Sequence, residues 1–406
     1  LWHDEGAVAC RDYLASIDSS SDEAVEAEAY AQMLENQSNP DVQPINRVLY
    51  YVADLDEVQE RLVASDQARL VPSPGFSNED PDNPPPRAIF VLTDRPQPQS
   101  GAELTLEQVP KGIASIYLFG KQTDREARIE VVPSSIGGEQ TASDILTDIA
   151  DGKLGKSDST EEISQVPVLT DSMAWNPVFP EDTPQDKIQE LSLEHRTASL
   201  TNIFPKIKLA ALGGMTPEEA SVDFDGRIKL EACLLIIESN LQCRDHNATL
   251  DDVRESLNLN RFEAVDPSDV DLNQVPDIRL ARYDVSKLNT QQLGDVYQRC
   301  YFVGFRRGFI HAAEEIFKRD EKPEHVNLSD VYAALLDSRD SLEGRLELVE
   351  LAKAEITVQG ESPAAWLLRE IPLRLMNQEA HPHLWLMFFN ESRACLLYTS
   401  PSPRDA

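Results

Sequence analysis

From about residue 185 onward the apolar residues of this chain recur at helical spacing, while strand-like alternation is confined to residues 45–133. That division sets the expected fold class as α+β, mostly α. A small mixed α/β sheet domain stands near the N-terminus, an acidic linker follows it, and a helical array closes the chain. A length of 406 residues exceeds one ordinary core, so two or three domains are expected. The pattern divides into N-terminal helices (1–44), a sheet domain (45–133), a flexible acidic linker (134–184), a helical segment (185–265) and a repeat-like helical domain (266–394).

Local signals place the elements. Residues 5–36 predict two helices, the second opening at Ser21 with Ala24, Ala27, Ala31 and Leu34 near helical spacing. Arg47 to Val52 is β-rich. Asp54 to Asp66 predicts a helix with Leu55, Val58, Leu62 and Val63 on one face, Asp54 as N-cap and Glu57 three residues on. Residues 72–86 carry six prolines and read as an extended loop. Three further strands are expected at Ala88–Leu92, Ser115–Phe119 and Ala127–Val132, the last two joined by a hairpin at 120–125. The order is therefore β-α-β-β-β. A helix is expected at 141–150 within the linker. Helical runs follow at Pro184–Leu200, Arg227–Ser239, Thr249–Leu259, Gln291–Arg319, Glu324–Leu336, Leu342–Val358 and Pro363–Asn377.

Charge narrows the function classes. The net charge is −34, from 71 acidic and 37 basic residues. Residues 1–86 hold 18 acids against 4 bases and residues 133–186 hold 11 against 2, whereas residues 87–132 balance at six each. Such a field repels phosphate backbones and anionic lipid, so neither nucleic acid nor a membrane surface is expected as partner. No run approaches the roughly 18 apolar residues of a spanning helix. Cys10, Cys233, Cys243 and Cys300 are widely spaced with no C-x-x-C, which favours reduced thiols and a cytoplasmic location.

Metal and catalytic motifs fail on inspection. The run from Asp269 to Asn273 opens like a calcium loop but has Gln274 at position six and Leu280 at position twelve. Cys243 and His246 form a lone C-x-x-H, and His381 and His383 flank a proline. Phosphate-binding glycine loops, nucleophile elbows and H-E-x-x-H are absent from the sequence. No catalytic, cofactor-binding or metal-binding residue is assigned, and no cofactor is expected.

The best-defined local motif runs from Leu212 to Ala220 and reads LGGMTPEEA. Gly213 and Gly214 permit positive φ, Thr216 is an N-cap, Pro217 fills the first helical position and Glu219 completes a capping box. With the preceding Pro205 and the following Asp225-Gly226-Arg227, this stretch resembles a segment of uncharacterised bacterial proteins. In that group GG-x-TP-x-EA precedes tetratricopeptide-like helices, and some members carry a SEC-C zinc motif. The SEC-C cysteine cluster has no counterpart here, so the resemblance implies no zinc. The same pattern is similar, over a shorter stretch, to the C-terminal domain of Xre–ParS-type antitoxins. Residues 395–405, which read CLLYTSPSPRD, resemble a translated sequencing adapter. With Leu1 in place of Met, they lead us to expect a gene fragment cut at both ends, and residues 395–406 are left out of the fold.

Tyr332 and Trp366 lie 34 residues apart, the tetratricopeptide period. In Tyr301–Ile310, Gly304 and Gly308 at i, i+4 allow close helix approach, and Arg306 and Arg307 could hold an acidic partner. The apolar run His383–Phe389 would pack on a further helix. The expected function is a non-enzymatic protein-interaction scaffold that binds a protein or peptide through its helical C-terminal half. Arg306, Arg307, Tyr332 and Trp366 are the candidate contacts. Two alternatives stand beside it: a regulatory, antitoxin-like module centred on residues 205–240, and an enzyme with a site on the sheet domain.

Overall fold

The computed structural model describes residues 2–18, 21–71, 85–121, 125–240, 244–261, 264–268, 271–339, 341–358 and 364–376. The chain is α+β and mostly α, and it divides into two compact units. The first comprises residues 1–232 with 249–259, the second residues 233–248 with 260 onward.

In the first unit, helices α1 (Trp2–Leu14) and α2 (Asp22–Ser38) pack on one another. Ser21 caps α2, its hydroxyl accepting from the Ala24 amide at 3.2 Å. Arg11 bridges the pair to Glu28 and Glu35. The sheet follows: β1 (Val42–Val52), α3 (Leu55–Ala64), β2 (Ala68–Val71), β3 (Ala88–Thr93), β4 (Gly112–Phe119), β5 (Arg128–Pro133), α4 (Glu139–Ala150) and β6 (Leu154–Pro167). Its six strands are antiparallel in the order β2-β3-β4-β5-β1-β6. Asp54 caps α3 by accepting from the Glu57 amide at 3.0 Å, as its spacing predicts.

Strand alternation decides where the core sits. Ala114, Ile116 and Leu118 of β4, Phe90 and Leu92 of β3, Val48, Tyr50 and Val52 of β1, and Ile129 and Val131 of β5 are buried on one face. Leu55, Val58 and Leu62 of α3 and Ala142, Leu146 and Ala150 of α4 cover that face. The opposite face carries Leu49, Tyr51, Tyr117 and Phe119 among Arg47, Arg128 and Glu130.

Residues 134–184 are not the flexible linker their composition predicts. Helix α4 covers the core, and β6 pairs along the whole of β1, from Val42↔Pro167 to Val52↔Leu154. Backbone hydrogen bonding holds β6 at the sheet edge, so its side chains can stay polar and exposed. After β6 come α5 (Val168–Met173), α6 (Gln185–Ala198), a π-helical turn (Ser199–Ile203) and α7 (Pro217–Val222). Helices α8 (Phe224–Asn240) and α9 (Arg244–Ser256) each contribute residues to both units.

The second unit continues with α10 (Asp277–Leu280), α11 (Thr290–Val303), α12 (Arg306–Lys318), α13 (Leu328–Ser338), α14 (Leu342–Val358) and α15 (Ala364–Met376). From α11 to α15 each helix packs on the next. The run Gln291–Arg319 is therefore two helices rather than one. Gly304 ends α11 in the left-handed conformation, at φ +80°, and its amide bonds back to the carbonyls of Cys300 and Tyr301. The expectations for Cys243, the Asp269–Asn273 loop, His381, His383–Phe389 and residues 395–406 fall wholly or partly outside the described residues. Among the described residues, no helix is long and apolar enough to cross a membrane.

Candidate functional site

The α11–α12 turn is built by its ends. Asn289 and Gln292 form a capping box at the start of α11, and Phe305, buried, precedes α12. Gly308 is required by the crossing: a Cβ there would meet Cys300 Sγ at 2.6 Å and Ala281 Cα at 3.0 Å. Tyr297, Tyr301 and Phe309 cluster across the two helices, with ring centroids 5.4–6.4 Å apart. The three residues ending α11 face outward. Phe302 is 91% exposed, Tyr301 53% and Val303 39%. Isolated exposed apolar residues are ordinary; three in succession at one turn form a patch.

The two arginines beside this patch differ. Arg307 is paired with Glu238, and its burial pushes the guanidinium pKa down. It is committed inside its own unit and is withdrawn as a partner contact. Arg306 makes no ion pair among the described residues, and its Nε is buried without a hydrogen-bond acceptor. Gly304 does not contribute to close helix approach, because it terminates α11; Gly308 does contribute.

Tyr332 and Trp366 are also withdrawn as surface contacts. Trp366 is 1% exposed and Tyr332 is buried. Their rings meet edge to face at 6.1 Å, Phe317 adds a second contact to Tyr332 at 5.8 Å, and Trp366 Nε1 donates to Ser329 Oγ at 3.2 Å. The 34-residue offset thus marks two aromatic residues packed together in the helical core. Beside them Glu370, 1% exposed, receives Lys353 and Arg374. Burial pushes its carboxyl up, but the hydrogen bonds from those two cations outweigh it and hold the pKa below the usual value.

The Leu212–Ala220 motif adopts the turn its residues predict. Gly213 and Gly214 stand at φ +70° and +82°, and the Gly214 amide donates to the Leu209 carbonyl at 2.9 Å. Thr216 accepts from the Glu219 amide at 3.2 Å, Glu219 Oε2 accepts from the Thr216 amide at 2.9 Å, and Pro217 opens α7. Val222 and Phe224, just beyond, are 88% and 76% exposed.

On the open sheet face, Arg47 donates to Glu130 at 2.6 Å and also meets Glu161, joining β1 to β5 and β6. Arg128 donates to Glu130 at 2.9 Å and lies 4.2 Å above the Phe119 ring. These charges neutralise one another in pairs. A second polar cluster escaped the sequence reading altogether. His195 stacks on Trp175 with 4.6 Å between centroids, and Ser199 Oγ lies 3.4 Å from its ring nitrogens. The i, i+4 spacing of His195 on α6 and Ser199 at the start of the π-helical turn was the available signal; Trp175, twenty residues from His195, was not legible as their partner. Among the described residues, no group of three or more His, Cys, Asp or Glu side chains could hold a metal ion.

Comparison of the chain with family models, with curated proteins and with solved structures finds no match.

Proposed function

We propose that this protein is a non-enzymatic interaction scaffold that docks a protein or peptide against its helical C-terminal half. The observation that carries the reading is the exposed Tyr301-Phe302-Val303 patch at the α11–α12 turn, with Arg306, which makes no ion pair among the described residues, next to it. An aromatic anchor beside a cation suits a segment with an apolar side chain and a carboxylate. The acidic balance of the chain supports a protein partner over nucleic acid. Free thiols at Cys10, Cys233 and Cys300 support a reducing, cytoplasmic setting.

Selection of a displayed peptide library against the whole chain tests the reading. Enriched peptides should combine an apolar residue with Asp or Glu, and Phe302→Ser should weaken them by about tenfold or more. Peptides that bind the Phe302→Ser variant as well as the parent would remove the patch as the docking site. A second reading, a regulatory module centred on residues 205–240, is favoured by the exposed Val222 and Phe224 directly after the capped turn. Enriched peptides that lose affinity on Phe224→Ser instead would support it.

A further inference from the structure

A cleft of about 580 Å³ in the first unit is lined by Gln43 at the start of β1, Val168 and Ser172 of α5, Asn202 and Ile203 of the π-helical turn, and Lys206, Ile207 and Lys208 just after it. Its lining contains two ammonium groups, two carboxamides and a hydroxyl, and no carboxylate. In a chain with 71 acidic residues against 37 basic ones, that set stands apart. Among the described residues, the side chains of Gln43, Ser172, Asn202, Lys206 and Lys208 have no hydrogen-bond or ion-pair partner. Two acids lie close to the lining residues in sequence. Asp41 accepts from the Ala210 amide at 3.0 Å and Asp171 from the Ile136 amide at 3.1 Å.

Local structure explains the convergence. The π-helical turn at 199–203 widens the backbone spiral where α6 ends, and it carries Asn202 and Ile203 outward while Phe204 and Pro205 stay buried. Lys206 ends a 3-10 turn (Phe204–Lys206), Ile207 leaves it in extended backbone and is buried, and Lys206 and Lys208 on either side of it are exposed. The apolar part of the lining is Val168, Ile203 and Ile207.

We propose that this cleft binds an organic phosphate monoester. Lys206 and Lys208 would hold the phosphate, Ser172, Asn202 and Gln43 would donate neutral hydrogen bonds, and the organic body would rest on Val168, Ile203 and Ile207. Two ammonium groups without a carboxylate partner match a group carrying close to two negative charges at neutral pH, which a phosphate monoester does and a single carboxylate does not. Lysine binds phosphate as a point charge and needs no fixed planar geometry. The proposal rests on the first unit alone and is independent of the docking patch at Phe302.

Isothermal titration of the full chain with phenyl phosphate, inorganic phosphate and phenol at low ionic strength tests it. Phenyl phosphate should bind once per chain, about tenfold more tightly than inorganic phosphate because its ring covers the apolar lining residues. Phenol should give no signal. The double variant Lys206→Gln, Lys208→Gln should weaken phenyl phosphate by about tenfold or more, through loss of two charge-assisted bonds. Lys206→Arg with Lys208→Arg should retain binding. Both lysines are exposed, so both variants should fold, and the arginine pair, which keeps the charge, should keep the parent melting temperature. No binding of phenyl phosphate, undiminished binding by the glutamine variant, or equal affinity for phenyl and inorganic phosphate would each overturn the assignment.

Discussion

Burial beneath Trp175, and then the charge of Lys111, hold the His195 imidazole below its usual pKa of 6.5. The neutral ring is thus the form that fits this site, since a charged one would lose its water beside the Lys111 ammonium. The direction of the pH effect follows from linkage. Above about 6.5 the ring is neutral in the folded and unfolded chain alike, and its packing contributes in full. As pH falls below that value the unfolded chain takes up the proton first, and stability is lost until the folded-state pKa is passed. Chemical unfolding at pH 7.5 and at pH 5.5 should show this loss. His195→Phe, which keeps a ring against Trp175 and cannot titrate, should lose less between the two pH values. An equal loss in parent and variant would show that His195 does not control this window.

Helix crossings put the next test at the scale of elements, because two glycines four residues apart serve opposite needs. At Gly308 the constraint is space: the Ala281 backbone stands 3.0 Å from where a Cβ would lie. Gly308→Val should therefore force α12 away from Ala281 and cost about 1–3 kcal/mol by overpacking. At Gly304 no atom lies within 4 Å of the added Cβ, and the constraint is φ at +80°. Gly304→Ala should cost about 1 kcal/mol through backbone strain alone. Urea midpoints of the two variants check the pair, and a Gly304→Ala loss larger than that of Gly308→Val would reverse the assignment. The same two positions show how much was legible in the sequence. Caps at Asp54 and Thr216 were readable because they depend on residues three apart. The division at Gly304 was not, since apolar periodicity continues through the turn. Strand β6 was hidden for another reason. Alternation marks a strand only when one face is buried, and β6 is held by backbone pairing to β1 with almost all its described side chains exposed. The same limit applied to the candidate site. Arg306, Arg307, Tyr332 and Trp366 could be named from spacing, but exposure decides which of them a partner can reach. The Lys206–Lys208 cleft gathers residues from four separate elements and has no linear pattern at all.

Over the whole molecule, charge and division act together. Of the net −34, residues 1–86 carry −14 and residues 133–186 carry −9, and both stretches belong to the first unit. Like charges crowded on one compact unit repel, and added salt weakens that repulsion over a screening length of about 10 Å at 0.1 M. Salt also weakens favourable pairs such as Arg47–Glu130 and Arg61–Asp151, but acids outnumber bases in these stretches, so repulsion is the larger sum. Raising sodium chloride from about 0.02 M to about 0.5 M should therefore raise the melting temperature of the first unit, the repulsion outweighing the pairs. With two compact units, calorimetric unfolding should depart from a single two-state transition, with the van't Hoff enthalpy below the calorimetric one. Scanning calorimetry over that salt series checks both expectations at once. The salt-responsive component should be the one that also shifts with His195→Phe, because His195 lies in the acid-rich unit. If salt lowers that component's midpoint instead, the ion pairs of the sheet dominate, and the acidic surface is compensated rather than strained.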